Sequence, residues 1–172
     1  MDVAIIDLPW HGAWLGMKIA VHPPQCMPGD EESNVMTIGI GVGLAEFPFS
    51  SAQAFWRWIA MCEDGGVDSF WQTDRLVSTP PFLETMSAMA AVAGATERMK
   101  FGMNVASVGL RDPLVLAKQC ATVDFLSNGR LLPAFGVGSP LARDWAATGR
   151  SFTGSGTRTD EALTLIARLW SE

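Results

Sequence analysis

The chain has 172 residues and a formal net charge of −6, with 48% hydrophobic and 17% charged residues. That length suffices for one domain with a sizeable core, and the composition excludes a disordered chain. The acidic balance argues against a nucleic-acid partner, and no apolar run reaches the roughly 20 residues needed to span a bilayer.

Residues 1–35 differ from the rest. They carry five acidic residues and one lysine, and they hold the proline-broken stretch VHPPQCMPGDEESN (21–34). This reads as a leader or N-terminal extension, poorly ordered, with Met36 as the natural first residue; an oligomer arm or regulatory tail is the functional alternative. A signal peptide does not fit, because Asp2 and Asp7 stand where a basic region is required.

From Thr37 the pattern turns regular. TIGIGVG (37–43) is the first strand candidate. SSAQAFWRWIAMCEDGG (50–66) places Phe55, Trp58, Ile59 and Cys62 on one helical face, with Ser50 or Ser51 as the cap and Gly65-Gly66 as the stop. VDSFWQTD (67–74) is a second strand. FLETMSAMAAVAGAT (82–96) is a second helix, with Leu83, Met86, Ala90 and Ala93 on one stripe. KFGMNVAS (100–107) is a third strand. Asp112 as N-cap and Pro113 at the first helical position open a third helix that stops near Asn128-Gly129. LLPAFGV (131–137) is a fourth strand, although Pro133 cannot donate to a ladder. Residues 138–157 read as a long loop. TRTDEALTLIARLW (157–170) is the last helix, with Ala162, Leu165, Ile166 and Leu169 on one face.

The strands begin near 37, 68, 100 and 131, about one βα unit apart. Apolar strands alternating with amphipathic helices define an α/β chain with a parallel sheet. A doubly wound sheet and a (β/α)8 barrel both fit. Either brings ligands to the C-terminal ends of the strands, here segments 44–49, 74–81, 106–111 and 138–157. GVGLAEFPF (41–49) has no lysine and no glycine-rich phosphate loop, which speaks against a doubly wound nucleotide-binding domain. The three cysteines (Cys26, Cys62, Cys120) form no CxxC and read as reduced thiols of a cytoplasmic protein, two of them inside helices. His11 and His22 are the only histidines. The body therefore offers no His-based zinc site and no Ser-His-Asp triad, and no metal site is expected.

GGVDSFWQTDRL (65–76), GATERMKFGMNV (94–105), RDPLVLAKQCATVDFLSNGRLLPAFGVGS (111–139) and GTRTDEALTLIARLW (156–170) together resemble the luciferase-like monooxygenase family, the flavin- or deazaflavin-dependent (β/α)8-barrel oxidoreductases. The four stretches follow the order and spacing of that family's first four βα units. The resemblance implies a TIM-like (β/α)8 barrel of which residues 36–172 are the N-terminal half. A full barrel takes about 250 residues. The chain is thus expected to be truncated or a fragment, with open sheet edges that a homodimer would be one way to cover.

The resemblance also implies FMN or the deazaflavin coenzyme F420 as cofactor and a small organic substrate. Reduced FMN would activate oxygen for monooxygenation; the deazaflavin would transfer hydride. The alternative is a cofactor-free half-barrel with a structural or partner-dependent role. Asp74 and Arg75 fall where relatives carry an acid–histidine pair, and are the implied catalytic residues. Arg75 stays protonated near neutral pH and suits an anionic substrate or a cofactor phosphate better than proton abstraction. A surface pairing of Asp74 with Arg75, or a cap of the next turn, is the structural alternative. Asn104-Val105 matches the position of a non-prolyl cis peptide beneath the flavin ring. Gly136, Gly138 and Ser139 follow the fourth strand into the cofactor cleft. The two glycines admit either a ligand or a close strand–helix contact. Ser139 stands where several relatives carry an acid, a base or a thiol. In the long loop, Arg143, Arg150 and Arg158 could engage a phosphate and Trp145 could stack on a ring, with a solvated loop anchored by one aromatic as the alternative.

Overall fold

The computed structural model describes residues 4–6, 19–22 and 39–171. Eight strands and five helices follow in chain order. β1 (Ala4–Ile6) and β2 (Ile19–His22) pair antiparallel, and β2 runs antiparallel to β3 (Gly39–Leu44). Then come α1 (Ala52–Asp64), β4 (Ser69–Gln72), α2 (Thr85–Ala95), β5 (Lys100–Met103) and β6 (Ala106–Ser107). A 3-10 turn (Val108–Leu110) leads into α3 (Pro113–Leu126), followed by β7 (Leu131–Leu132), β8 (Phe135–Gly136), α4 (Asp144–Ala147) and α5 (Ser155–Ser171). The main sheet has the order β1-β2-β3-β4-β5-β7, and its last four strands are parallel. β6 and β8 form a second, two-stranded parallel pair beyond it. Strands and helices alternate along the parallel part of the sheet, as in the first part of a (β/α) barrel.

The two strands in residues 1–35 extend the sheet; the rest of the expected leader lies outside the described residues. The third and fourth strands of the repeat are each broken in two. β5 and β6 are separated by Asn104-Val105, and β7 and β8 by Pro133-Ala134. Pro133 has no N–H to continue the ladder. The expected loop 138–157 contains the short helix α4 and the first turn of α5.

The helices cover one face of the sheet. Phe55, Ile59, Phe70, Met89, Phe101 and Leu116 are among the fully buried side chains between them. Phe47, Phe49, Phe55, Trp58 and Phe70 form a cluster with ring centroids 5.2–6.4 Å apart. Ser51 caps α1 by accepting from Ala54 N (3.2 Å), and Asp112 caps α3 by accepting from Val115 N (3.0 Å). Glu84 caps α2, accepting from Met86 N and Ser87 N, a role the sequence reading did not give it. Helix α2 departs from its expected stripe: Met89 and Val92 are buried and Ala90 is exposed. An alanine- and methionine-rich helix is apolar all round, so periodicity does not single out a face. On α5, Ile166 is buried while Leu165 and Leu169 are 40% and 38% exposed.

The N-terminal rim of the strands is stitched by two charged residues. Arg130 donates to Ser127 O, Thr96 Oγ1, Met99 O, Ala93 O and Thr96 O, and its guanidinium carbon lies 5.3 Å from the Phe101 ring centre. Glu63 accepts from the backbone N–H groups of Glu97, Arg98 and Met99. Among the described residues, no helix is long and apolar enough to cross a membrane.

Candidate active site

The C-terminal ends of β3, β4 and β5 lie side by side because the strands are parallel and in register. There Gly43, Leu44, Ala45, Trp71, Thr73 and Asn104 meet around a narrow crevice that leaves no room for a water molecule. The Asn104–Val105 peptide bond is cis, as the resemblance implies. Asn104 N donates to Gln72 O (2.8 Å), but its carboxamide has no hydrogen-bond partner among the described residues. Val105 is 37% exposed at the same rim.

Asp74 leaves β4 and is buried, and both of its oxygens are engaged. Oδ1 accepts from Thr85 Oγ1 (2.9 Å) and Arg111 Nη2 (2.6 Å); Oδ2 accepts from Ser107 N (3.1 Å). Arg111 also donates to Glu84 Oε1 at 2.8 Å. Burial works against the charge of Arg111, but the Asp74 and Glu84 carboxylates outweigh it and hold its pKa above the ordinary value. Glu84 is likewise desolvated, yet bonds from Ser87, Arg111 and Met86 leave its pKa lowered.

Arg75 turns elsewhere. Its Nη1 lies 3.7 Å from Asp144 Oδ2, and its side chain is 39% exposed. Asp144 is buried on α4, and its Oδ1 accepts from Leu76 N (2.5 Å) and Val77 N (2.9 Å). Asp74 thus neither pairs with Arg75 nor caps a helix: it ties β4 to β6, α2 and the segment before α3. Asp144 fixes the loop that carries Arg75.

Gly136, Gly138 and Ser139 follow one another from β8 toward α4. A Cβ on Gly136 would stand 2.5 Å from Val105 Cγ2. Gly138 has φ +87°, and a Cβ there would meet Ser107 Oγ at 3.1 Å and Trp145 Cζ2 at 3.2 Å. Both glycines therefore make room for the chain's own side chains. Ser139 closes a turn: its carbonyl accepts from Ala142 N (3.1 Å) and Trp145 Nε1 (3.0 Å), and its hydroxyl from Leu141 N (3.3 Å). Trp145 is buried with its ring edge-on to Phe152, so it anchors the loop. On the same rim a cavity of about 520 Å³ is lined by Arg111, Arg150 and Arg158, with Glu161 in the same wall. Arg150 donates to Gly109 O and Arg111 O, and Arg158 to Thr153 O and Ser151 O.

The sequence reading missed Arg111 and Glu84. Arg111 stands directly before the Asp112-Pro113 helix start, in a segment already marked as ligand-side; only its depth of burial was invisible. Glu84 looked like a polar residue inside a helix, and it is the cap because the helix starts at Thr85.

This chain belongs to the luciferase-like monooxygenase family, whose profile matches residues 29–172. Limonene 1,2-monooxygenase of Rhodococcus erythropolis is 28% identical over 169 residues, 98% of this chain and 36% of that protein. An F420-dependent glucose-6-phosphate dehydrogenase of Amycolatopsis mediterranei is 33% identical over 119 residues, 63% of this chain and 35% of that one. Among solved structures, the oxygenating constituent of 3,6-diketocamphane monooxygenase from Pseudomonas putida, in complex with FMN, superimposes with a TM-score of 0.62. It is 20% identical and is matched over 72% of this chain and 36% of its own. The chain spans about a third of the length of the curated relatives it matches.

Proposed function

We propose that this chain supplies the first four βα units of an FMN- or F420-dependent oxidoreductase acting on a small organic substrate. The observation that carries the reading is the C-terminal rim of β3, β4 and β5, where Asn104 presents a carboxamide with no hydrogen-bond partner among the described residues, beside the small residues Gly43, Ala45 and Thr73. The donor set fits such a cofactor. A carboxamide can bond the edge of a flavin or deazaflavin ring. Arg150 and Arg158 are held by backbone carbonyls, which orient a guanidinium without neutralising it. They are suited to a cofactor phosphate.

When bound, FMN or F420 supplies the electron-transfer chemistry: oxygen activation in the first case, hydride transfer in the second. The chain's own residues position and orient. Asn104 and Val105 face the cofactor. Asp74, bonded to Thr85, Arg111 and Ser107, holds the rim in shape. Arg75, one nitrogen near Asp144 and the rest of its fork open, receives an anionic group of the substrate. Gly136, Gly138 and Ser139 shape the wall around Val105.

The second reading is a cofactor-free half-barrel that acts with a partner. It is favoured by the apolar outer face of α3, where Phe125 and Leu126 are 81% and 66% exposed. Separate titrations of FMN and F420 into the 172-residue chain, followed by fluorescence and thermal unfolding, decide between the two. Saturable binding with a raised midpoint supports the oxidoreductase reading and names the cofactor. A folded chain that binds neither leaves the partner-dependent reading.

A further inference from the structure

Helix α3 is apolar on its outside as well as its inside. Leu116, Ala117, Cys120 and Val123 are buried. On the opposite side Leu114, Val115, Phe125 and Leu126 are each more than half exposed, and Lys118, Ala121 and Thr122 lie exposed between them. A helix that is apolar all round is ordinarily covered all round. The described chain does not cover this one. α3 packs against α2 and α5, and beside Phe125 a cavity of about 540 Å³, lined also by Cys120, Asp124, Leu169 and Trp170, stays open between α3 and α5. Further βα units of a barrel would not cover it either. They would continue from the β7 edge, and the helices of a barrel form its outer ring, so the outer face of α3 still looks away from the barrel. The charges on that face are also unspent. Lys118 and Asp124 are bonded through their backbone carbonyls, to Thr122 Oγ1 and Ser127 Oγ, and no ion pair among the described residues uses either side chain.

We propose that the outer face of α3 is where two copies of this chain meet, with the two α3 helices antiparallel across a two-fold axis midway between Lys118 and Ala121. Leu114, Lys118, Ala121 and Phe125 are spaced four, three and four residues apart, the seam of a helix pair. The axis sets Leu114 of each copy on Phe125 of the other and lays the Lys118 stem over the small Ala121. With a rise of about 1.5 Å per residue, Lys118 then stands about 4.5 Å along the helix from the second copy's Asp124, within reach of its flexible stem. Two such ion pairs form, one on each side of the axis. A parallel pairing would put Lys118 against Lys118 and Asp124 against Asp124, so charge selects the antiparallel one. The patch is self-complementary, and the assembly closes at two copies. The pairing is independent of which cofactor the chain takes.

The test is sedimentation velocity of the full chain over a range of concentrations, with the fold followed by circular dichroism. The wild-type chain is expected to dimerise reversibly. Phe125→Asp and Leu114→Asp are each expected to raise the dimer Kd at least tenfold with the fold retained, since both positions are exposed. Lys118→Asp is expected to weaken the dimer about threefold, and Lys118→Asp combined with Asp124→Lys to restore it to within about twofold. A wild-type chain that stays monomeric at its highest soluble concentration overturns the proposal. A dimer that both aspartate variants leave intact also overturns it, because such a dimer would be joined through the sheet edges. A charge swap that restores nothing overturns the antiparallel arrangement. Cysteine pairing keeps the test decisive if an aspartate variant unfolds. Leu114→Cys and Phe125→Cys chains, mixed and oxidised, are expected to give a 114–125 disulfide-linked peptide as the main intermolecular product by mass. A 125–125 link in its place overturns the proposal.

Discussion

The two rims of the parallel sheet are each held by an arginine, and they are held differently. At the N-terminal rim, Arg130 spends its donors on four backbone carbonyls and a threonine hydroxyl. Glu63 answers from the other side by taking three backbone N–H groups. At the C-terminal rim, Arg111 is bound by carboxylates, Asp74 and Glu84. The buried side-chain atoms left without a hydrogen bond among the described residues are Gln72 Oε1, Arg111 Nε, Asp144 Oδ2 and Thr159 Oγ1. Gln72 ends β4, Arg111 precedes α3, Asp144 opens the short helix α4 and Thr159 is in the second turn of α5, so all four follow strand C-terminal ends. The lower rim satisfies its polar groups internally and the upper rim does not. The asymmetry falls at the strand ends where α/β barrels as a class hold their ligands.

The contrast is broken most sharply at Asp74. Its side chain is 2% exposed, and its removal leaves the Arg111 charge largely buried with Glu84 as its remaining carboxylate. Asp74→Ala is expected to cost about 3 kcal/mol in urea unfolding, the scale for orphaning one member of a buried pair. A double-mutant cycle with Arg111→Met should recover part of that loss; strict additivity would show that the pair is not coupled. Arg130→Ala comes next, at about 2 kcal/mol, because it strands carbonyls at the ends of α2 and α3. Arg130→Lys should recover little, since a single ammonium cannot span carbonyls that a planar fork reaches together. Cofactor Kd should not move in either Arg130 variant, and a shift there would join the two rims.

The repeat was legible because strand starts about 31 residues apart, caps such as Asp112-Pro113 and stops such as Asn128-Gly129 are local signals. Local signals also narrowed the α1 cap to Ser50 or Ser51, of which Ser51 is the cap, and put Cys62 on the buried helical face. The failures were physical too. Pro133 interrupts the fourth strand because a missing N–H outweighs an apolar run. On α2, alanine and methionine on every side hid the buried face. The site was legible as a region and not as a set of roles. Asp74 and Arg75 are adjacent in sequence, yet their partners are Arg111 and Asp144, 37 and 69 residues further on. Long-range ion pairs of this kind depend on how βα loops converge, and no local pattern encodes that.

A smaller effect comes from acid. Glu63 is partly desolvated, which opposes its charge, but three backbone N–H bonds and Arg98 leave its pKa below the ordinary 4.5. A carboxylate with a depressed folded-state pKa contributes stability above about pH 4.5, lost as the pH falls through the folded value. Glu84 follows the same sign. Glu63→Gln and Glu84→Gln should therefore each flatten the acid limb of a stability–pH profile, by about 1 kcal/mol at neutral pH. An unchanged acid limb in both would mean that neither carboxylate is tied to the fold.

The smallest expected change in stability belongs to the residue with the largest expected change in binding. Asn104 has a half-buried carboxamide that bonds to nothing among the described residues, so Asn104→Ala removes no internal hydrogen bond. Its unfolding free energy should stay within about 0.5 kcal/mol of wild type. If the carboxamide serves a ring edge, the same variant should weaken FMN or F420 binding about tenfold, the scale of one well-placed hydrogen bond to a ligand. Arg130→Ala should show the opposite pattern, with stability lost and Kd kept. The paired measurement turns the difference between the rims into a crossover. A loss of stability at Asn104 would show that the upper rim needs its polar groups for folding as the lower rim does, and its spare donors would then have no claim on a ligand.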